Sequence, residues 1–109
     1  MGDALGTLES IYFSFQANLE DMLAACKTQA DRDAIMSQYV AARQNYWQCI
    51  DRTFHNDDPV VQSLVAEAKA DIAQLNTIDN SLGDIAKVIN IATEVVTVGS
   101  KIAAKVITL

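Results

Sequence analysis

A single histidine, two cysteines and an arginine set among aromatic residues are the positions in this 109-residue chain whose side chains could carry chemistry. His55 stands beside Asp57 and Asp58, a group that could hold a divalent cation weakly. Structural zinc takes four Cys or His ligands at fixed spacing, and no such set exists. Nor does a His, Glu or Asp pair recur at i, i+3 or i, i+4 on an apolar helix face, as a di-metal carboxylate bundle requires. Cys26 and Cys49 form no Cys-x-x-Cys pair. On two helices joined by a turn near residue 28 they lie about 30 Å apart along the axis, far beyond the ~7 Å Cα separation that a disulfide tolerates. Both read as small apolar residues of a reducing compartment, and neither has a nearby base in sequence to make it a nucleophile. Gly2, Gly6, Gly83 and Gly99 are isolated, so no glycine-rich phosphate loop is present. The expectation is a protein that is not an enzyme and binds no metal or cofactor.

Arg43 differs from these. Tyr39 and Trp47 stand four residues to either side of it and Tyr46 three residues on, so on a helix aromatic faces surround the guanidinium. An arginine so placed can run its stem along the edge of a core and gain roughly 0.5–2 kcal/mol from the ring faces. The same residue types dominate protein–protein contacts, which makes Tyr39, Arg43, Tyr46 and Trp47 candidate interface residues.

The elements that must position these groups are helical. Leu5, Leu8, Ile11, Tyr12, Phe15, Leu19, Met22, Leu23 and Cys26 recur at helical spacing and define a first helix over about residues 3–26, with Phe13 the one large apolar residue off the stripe. Thr28, followed by Asp31, predicts an N-cap and a turn at 27–30. A second helix over about 29–54 places Met36, Tyr39, Val40, Tyr46, Trp47, Ile50 and Phe54 on one side, with Arg43 near the middle of that stripe. Asp58 and Pro59 supply an N-cap and an N1 proline. They open a third helix, about 59–77, whose apolar residues are Val60, Val61, Leu64, Val65, Ala68, Ile72 and Leu75. Asp79, Asn80 and Ser81 end it, and Ser81 with Asp84 restarts a fourth over about 82–108. One proline and no internal repeat fit one domain, 1–109, with one core. The predicted fold is all-α, an antiparallel four-helix bundle running up-down-up-down.

Residues 85–109 carry the strongest pattern. Lys87, Asn90, Thr93, Glu94, Thr97, Ser100, Lys101, Lys105 and Thr108 share one sector of the helical wheel. Ile85, Val88, Ile89, Ile91, Val95, Val96, Val98, Ile102, Val106, Ile107 and Leu109 fill the other. That apolar sector covers roughly half the circumference, wider than the ~100° stripe of a surface helix, so it needs protein on more than one side, or lipid. Gly99 lies within it and costs about 1 kcal/mol relative to alanine, a cost that close helix approach could offset. Β-branched residues are frequent here, yet strict alternation lasts only a few residues, so helix prevails over strand.

The net charge of −6 argues against nucleic acid, which demands concentrated Lys and Arg. Asp57, Asp58, Glu67, Asp71, Asp79 and Asp84 face only Lys69 within 57–84, whereas 85–109 sets three lysines against Glu94. A basic last helix beside an acidic neighbour is expected. No basic start and apolar block opens the chain as a signal peptide would, and charges interrupt each apolar run too often for an ordinary membrane span. The expected location is cytoplasmic, with export by a route lacking a cleaved signal as the other possibility. The leading functional expectation is a helical interaction protein, a homo-oligomer or a binder of a protein partner, with Val88, Val95, Val98 and Ile102 as further interface candidates. The alternative is a membrane-active protein or toxin component that works through the amphipathic helix 85–109.

Overall fold

The structure, a computed structural model, describes residues 3–105. It contains four α-helices: α1 (Ala4–Ala25), α2 (Gln29–Cys49), α3 (Pro59–Asn76) and α4 (Ile85–Ala103), with a short 3₁₀ turn at Ile78–Ser81 between the last two. The chain is an all-α four-helix bundle, measuring 44 × 22 × 17 Å. Among the described residues no helix is long and apolar enough to cross a membrane.

Each start is set by a side chain that satisfies an otherwise unpaired backbone N–H. The Asp3 carboxylate accepts from Gly6 N–H. Thr28 Oγ1 accepts from Asp31 N–H at 3.1 Å, Asp58 Oδ1 from Val60 N–H at 2.7 Å beside Pro59, and Asp84 Oδ1 from Lys87 N–H at 3.2 Å. The borders inferred for 27–30 and for Asp58–Pro59 are therefore present. Three ends differ from expectation. Helix α2 stops at Cys49 rather than at 54, and α4 begins at Ile85 rather than 82 and closes at Ala103. The proposed continuation of α4 through Val106, Ile107 and Thr108, like the apolar assignment of Leu109, lies outside the described residues.

Successive helices alternate in direction, but their order around the bundle is not sequential. Helix α1 packs on α2 and α3, α4 packs on α2, α3 and α1, and α2 and α3 do not touch. Tyr46 with Glu9 pairs the end of α2 with the beginning of α1. Asn18 with Asn76, and Asn45 with Ser100, instead match late positions on both partners. Thus α1 lies parallel to α3, and α2 parallel to α4, while α1/α2 and α3/α4 form antiparallel hairpins. Residues 50–58 must cross the bundle end, and an extended segment of that length reaches about 30 Å, ample for a bundle diagonal. Phe54 is buried along the crossing, and Asn56 Oδ1 accepts from Ala4 N–H at 2.9 Å. Burial of one large apolar side chain contributes about 1.5–3 kcal/mol, so Phe54 tethers this link although no helix carries it.

The core is built from Leu8, Ile11, Phe15 and Met22 of α1, Ile35, Ala42 and Cys49 of α2, Val61, Val65, Ala68 and Leu75 of α3, and the inner side of α4. On α4, Val88, Ile91, Ala92, Val95, Val96, Val98, Gly99 and Ile102 are all buried. Lys87, Asn90, Glu94, Thr97, Ser100 and Lys101 are exposed. The broad apolar sector is accounted for by three neighbours in the same chain.

Gly99 belongs to that inner side, and a β-carbon there would lie 3.2 Å from Ile11 Cδ1 and 3.8 Å from Leu8 Cδ2 and Asn45 Nδ2. Its role is close approach of α4 to α1. Gly99→Ala gains about 1 kcal/mol in helix propensity and requires only the end of Ile11 to shift, so its net effect on a urea midpoint is small. Gly99→Val adds branched atoms in the same space and is expected to destabilise by about 1–3 kcal/mol.

Candidate functional site

The positions raised by the sequence separate into three groups in space. Cys26 and Cys49 are free thiols, both buried. Burial pushes the Cys26 thiol up, assisted by Asp31 and opposed by Arg32, and burial likewise raises Cys49 against the pull of Arg52. A raised thiol pKa suppresses the thiolate that nucleophilic chemistry uses. His55 is exposed in the 50–58 connection. Among the described residues no group of three or more His, Cys, Asp or Glu side chains is arranged to hold a metal ion.

The second group corrects an expectation. Val88, Val95, Val98 and Ile102 are at most 2% exposed, so they do not form a contact face for another molecule in this bundle. Their sector is wide because α1, α2 and α3 all pack against it. The membrane reading drew on the same sector, and the buried apolar side chains of α4, from Val88 to Ile102, likewise face inward here.

The third group is on the outside. Tyr39, Arg43, Tyr46 and Trp47 come together with Tyr12 and Phe13 across the α1/α2 seam. Ring centroids are 5.2 Å apart for Tyr12 and Phe13, 5.9 Å for Tyr12 and Tyr46, 6.2 Å for Phe13 and Tyr46, and 6.4 Å for Tyr12 and Trp47. Offset and edge arrangements at these spacings suit aromatic quadrupoles. Arg43 places its guanidinium carbon 5.1 Å from the Trp47 ring centre and 5.9 Å from that of Tyr39. This is the cation–π geometry anticipated from the i±4 spacing.

Burial defines how far this cluster belongs to the core. Tyr12 is buried and Tyr39 and Tyr46 are half-buried, whereas Phe13 is 50% and Trp47 56% exposed. Tyr46 donates its hydroxyl to Glu9 Oε2 at 2.8 Å. That bond, with smaller contributions from burial and the Glu9 charge, raises the Tyr46 phenol above its usual range. Hydrogen bonding with Tyr39, then burial, does the same for Tyr12. The phenols accordingly stay neutral at physiological pH and act as hydrogen-bonding rings.

The buried stripe of α2 is not the one expected. Ile35, Ala42 and Cys49 are buried, and Tyr39 and Tyr46 pack partly against the core, a repeat of three and four residues that reads as one helix face. Met36, Trp47 and Ile50, assigned to the core side from sequence, are instead 37%, 56% and 47% exposed. Arg43 therefore does not interrupt an apolar core stripe. It belongs to an outer face on which Met36, Arg43, Trp47 and Ile50 recur at i, i+7, i+11 and i+14, spanning about 21 Å of helix axis. Sequence reasoning missed Met36 and Ile50 as surface residues; the 35-39-42-46-49 spacing was the available signal.

An acidic groove lies elsewhere, between α3 and α4, lined by Glu67, Asp71, Thr93, Glu94, Thr97, Val98 and Lys101. Partial burial, then the Glu94 and Glu67 carboxylates, pushes the Asp71 carboxyl above its ordinary value of 3.8. The helices do adjoin as charge balance suggested, yet α4 brings Glu94 as well as Lys101 to the groove. The folded state holds the Asp71 proton to higher pH than the unfolded chain does. Stability therefore falls as pH rises through the interval above 3.8. Asp71→Asn is expected to raise stability at pH 7 by about 0.3–1 kcal/mol, the scale of like-charge pairs, and the gain should shrink in thermal melts taken progressively toward pH 4.

Comparison with protein-family models, curated proteins and solved structures finds no match to this chain.

Proposed function

We propose that the protein is a helical protein-contact module that works through the outer aromatic face of α1 and α2. The observation that carries this reading is the exposure of Trp47 and Phe13, each half or more open to water, around the cation–π pair of Trp47 and Arg43. Leaving two large aromatic rings in water forgoes about 25 cal/mol for each Å² that could be buried. Meanwhile the core beneath is closed, with no buried side-chain nitrogen or oxygen lacking a partner among the described residues. Trp and Tyr lose little conformational freedom relative to the area they bury, and Trp, Tyr and Arg are the types enriched among the residues that anchor protein contacts. A base of buried Tyr12 and half-buried Tyr39 and Tyr46 holds these anchors in place before any contact forms, reducing the ordering cost of association.

Capture from an extract of the native host tests this. Wild-type protein should retain a specific partner, a second copy included, and Phe13→Ala and Trp47→Ala should lose it while keeping the helical circular dichroism of the wild type. Equal capture by all three proteins contradicts the reading.

A further inference from the structure

Resting on that reading, we infer that the occupant of this face is a second copy of the chain, bound about a two-fold axis with Glu9 of each protomer opposite the partner's Arg43.

Charge selects this occupant. The whole chain carries −6, so a general electrostatic partner would be basic and would meet a face rich in carboxylates. Beside its rings the aromatic face instead presents Glu9, exposed on α1, and Arg43, half-buried on α2. An acidic partner would meet Glu9 as a repulsive group, and a basic partner would meet Arg43 as one. A like face matches both, because an isologous contact places residue i against j and j against i.

Placement agrees with charge. The hydrogen bond from Tyr46 fixes Glu9 level with Tyr46 on the neighbouring helix and occupies only Oε2. Arg43 lies three residues earlier on α2, about 4.5 Å along the bundle. The two charges are thus offset about a point near the Phe13–Tyr46 ring pair, whose centroids are 6.2 Å apart. A two-fold axis lying in the plane of the face, through that point and at right angles to the line joining the two charges, sets Glu9 of each protomer opposite the partner's Arg43 and keeps the exposed rings within the contact.

Sedimentation velocity on the full chain, over a concentration series reaching the millimolar range, tests the pairing. Wild type should show a reversible monomer–dimer equilibrium. Glu9→Arg alone and Arg43→Glu alone each place like charges together twice per dimer and should weaken self-association at least tenfold. Mixed in equal amounts, these two variants regain both opposite-charge pairs and should form a heterodimer. Circular dichroism establishes that both variants are folded before mixing. A wild type that stays monomeric throughout, or two variants whose mixture stays monomeric, overturns the inference. The first result leaves the contact-module reading standing if Trp47→Ala still abolishes capture of a different host protein, so the two failures are distinguishable.

Discussion

Val95→Asp is expected to abolish folding. Val95 sits midway along α4 and is fully buried, in the sector that α1, α2 and α3 jointly cover. The substitution removes apolar contacts and leaves an unpaired carboxylate where water is excluded. Protonation relieves part of that, yet an unsatisfied buried polar group still costs several kcal/mol. Domains of this size are stable by about 5–15 kcal/mol in total, so the folded population should collapse, seen as loss of helical ellipticity and of a cooperative melt. Asn90→Asp provides the matched control. It introduces the same charge on the exposed side of the same helix and should change stability by about 0.5 kcal/mol or less. Equal effects from the two substitutions would mean that α4 does not present the inner side described here.

Trp47→Ala should act in the opposite sense, sparing the fold and removing the contact. The side chain is more than half exposed, and its described partners are Tyr12 at the ring edge and Arg43 at the face. Losing an exposed cation–π pair costs about 0.5–1 kcal/mol, within reach of a modest shift in a denaturation midpoint. Anchors of this type at the centre of an interface carry about 2 kcal/mol or more, near a thirtyfold loss of affinity. A titration of association should therefore fall by that factor or more while the melting curve hardly moves. If Trp47→Ala instead unfolds the protein and leaves association of the surviving folded fraction unchanged, the aromatic face is core and not contact surface.

The difference between these two residues explains how much the sequence disclosed. The inner side of α4 was legible because side-chain type and wheel position agree at every described residue, and Asp58–Pro59 and Thr28 mark helix starts by local hydrogen bonding alone. Helix α2 was less legible because size and burial part company there. Its close packing uses Ile35, Ala42 and Cys49, two of them small, while larger Met36, Trp47 and Ile50 face out. A reading weighted by apolar bulk rotates the stripe toward the rings and carries it through Phe54. Phe54 is indeed buried, but from the crossing segment after α2 has ended. The lateral order of the helices was hidden for a related reason: short connections dictate direction, and nothing local dictates that 50–58 spans the diagonal. Tyr39, Arg43, Tyr46 and Trp47 were recognisable as a group from spacing. Their surface position, and the addition of Phe13, Met36 and Ile50, required the bundle itself.

The proposed association covers the outer aromatic face and not α4, and the chain's single tryptophan reports on it directly. Emission wavelength and quenching by acrylamide, followed as protein concentration rises, should show Trp47 open to water in the dilute monomer, then blue-shifted and protected on self-association. Emission that is already shielded at the lowest concentration, or equally quenchable while sedimentation shows the complex formed, contradicts the account.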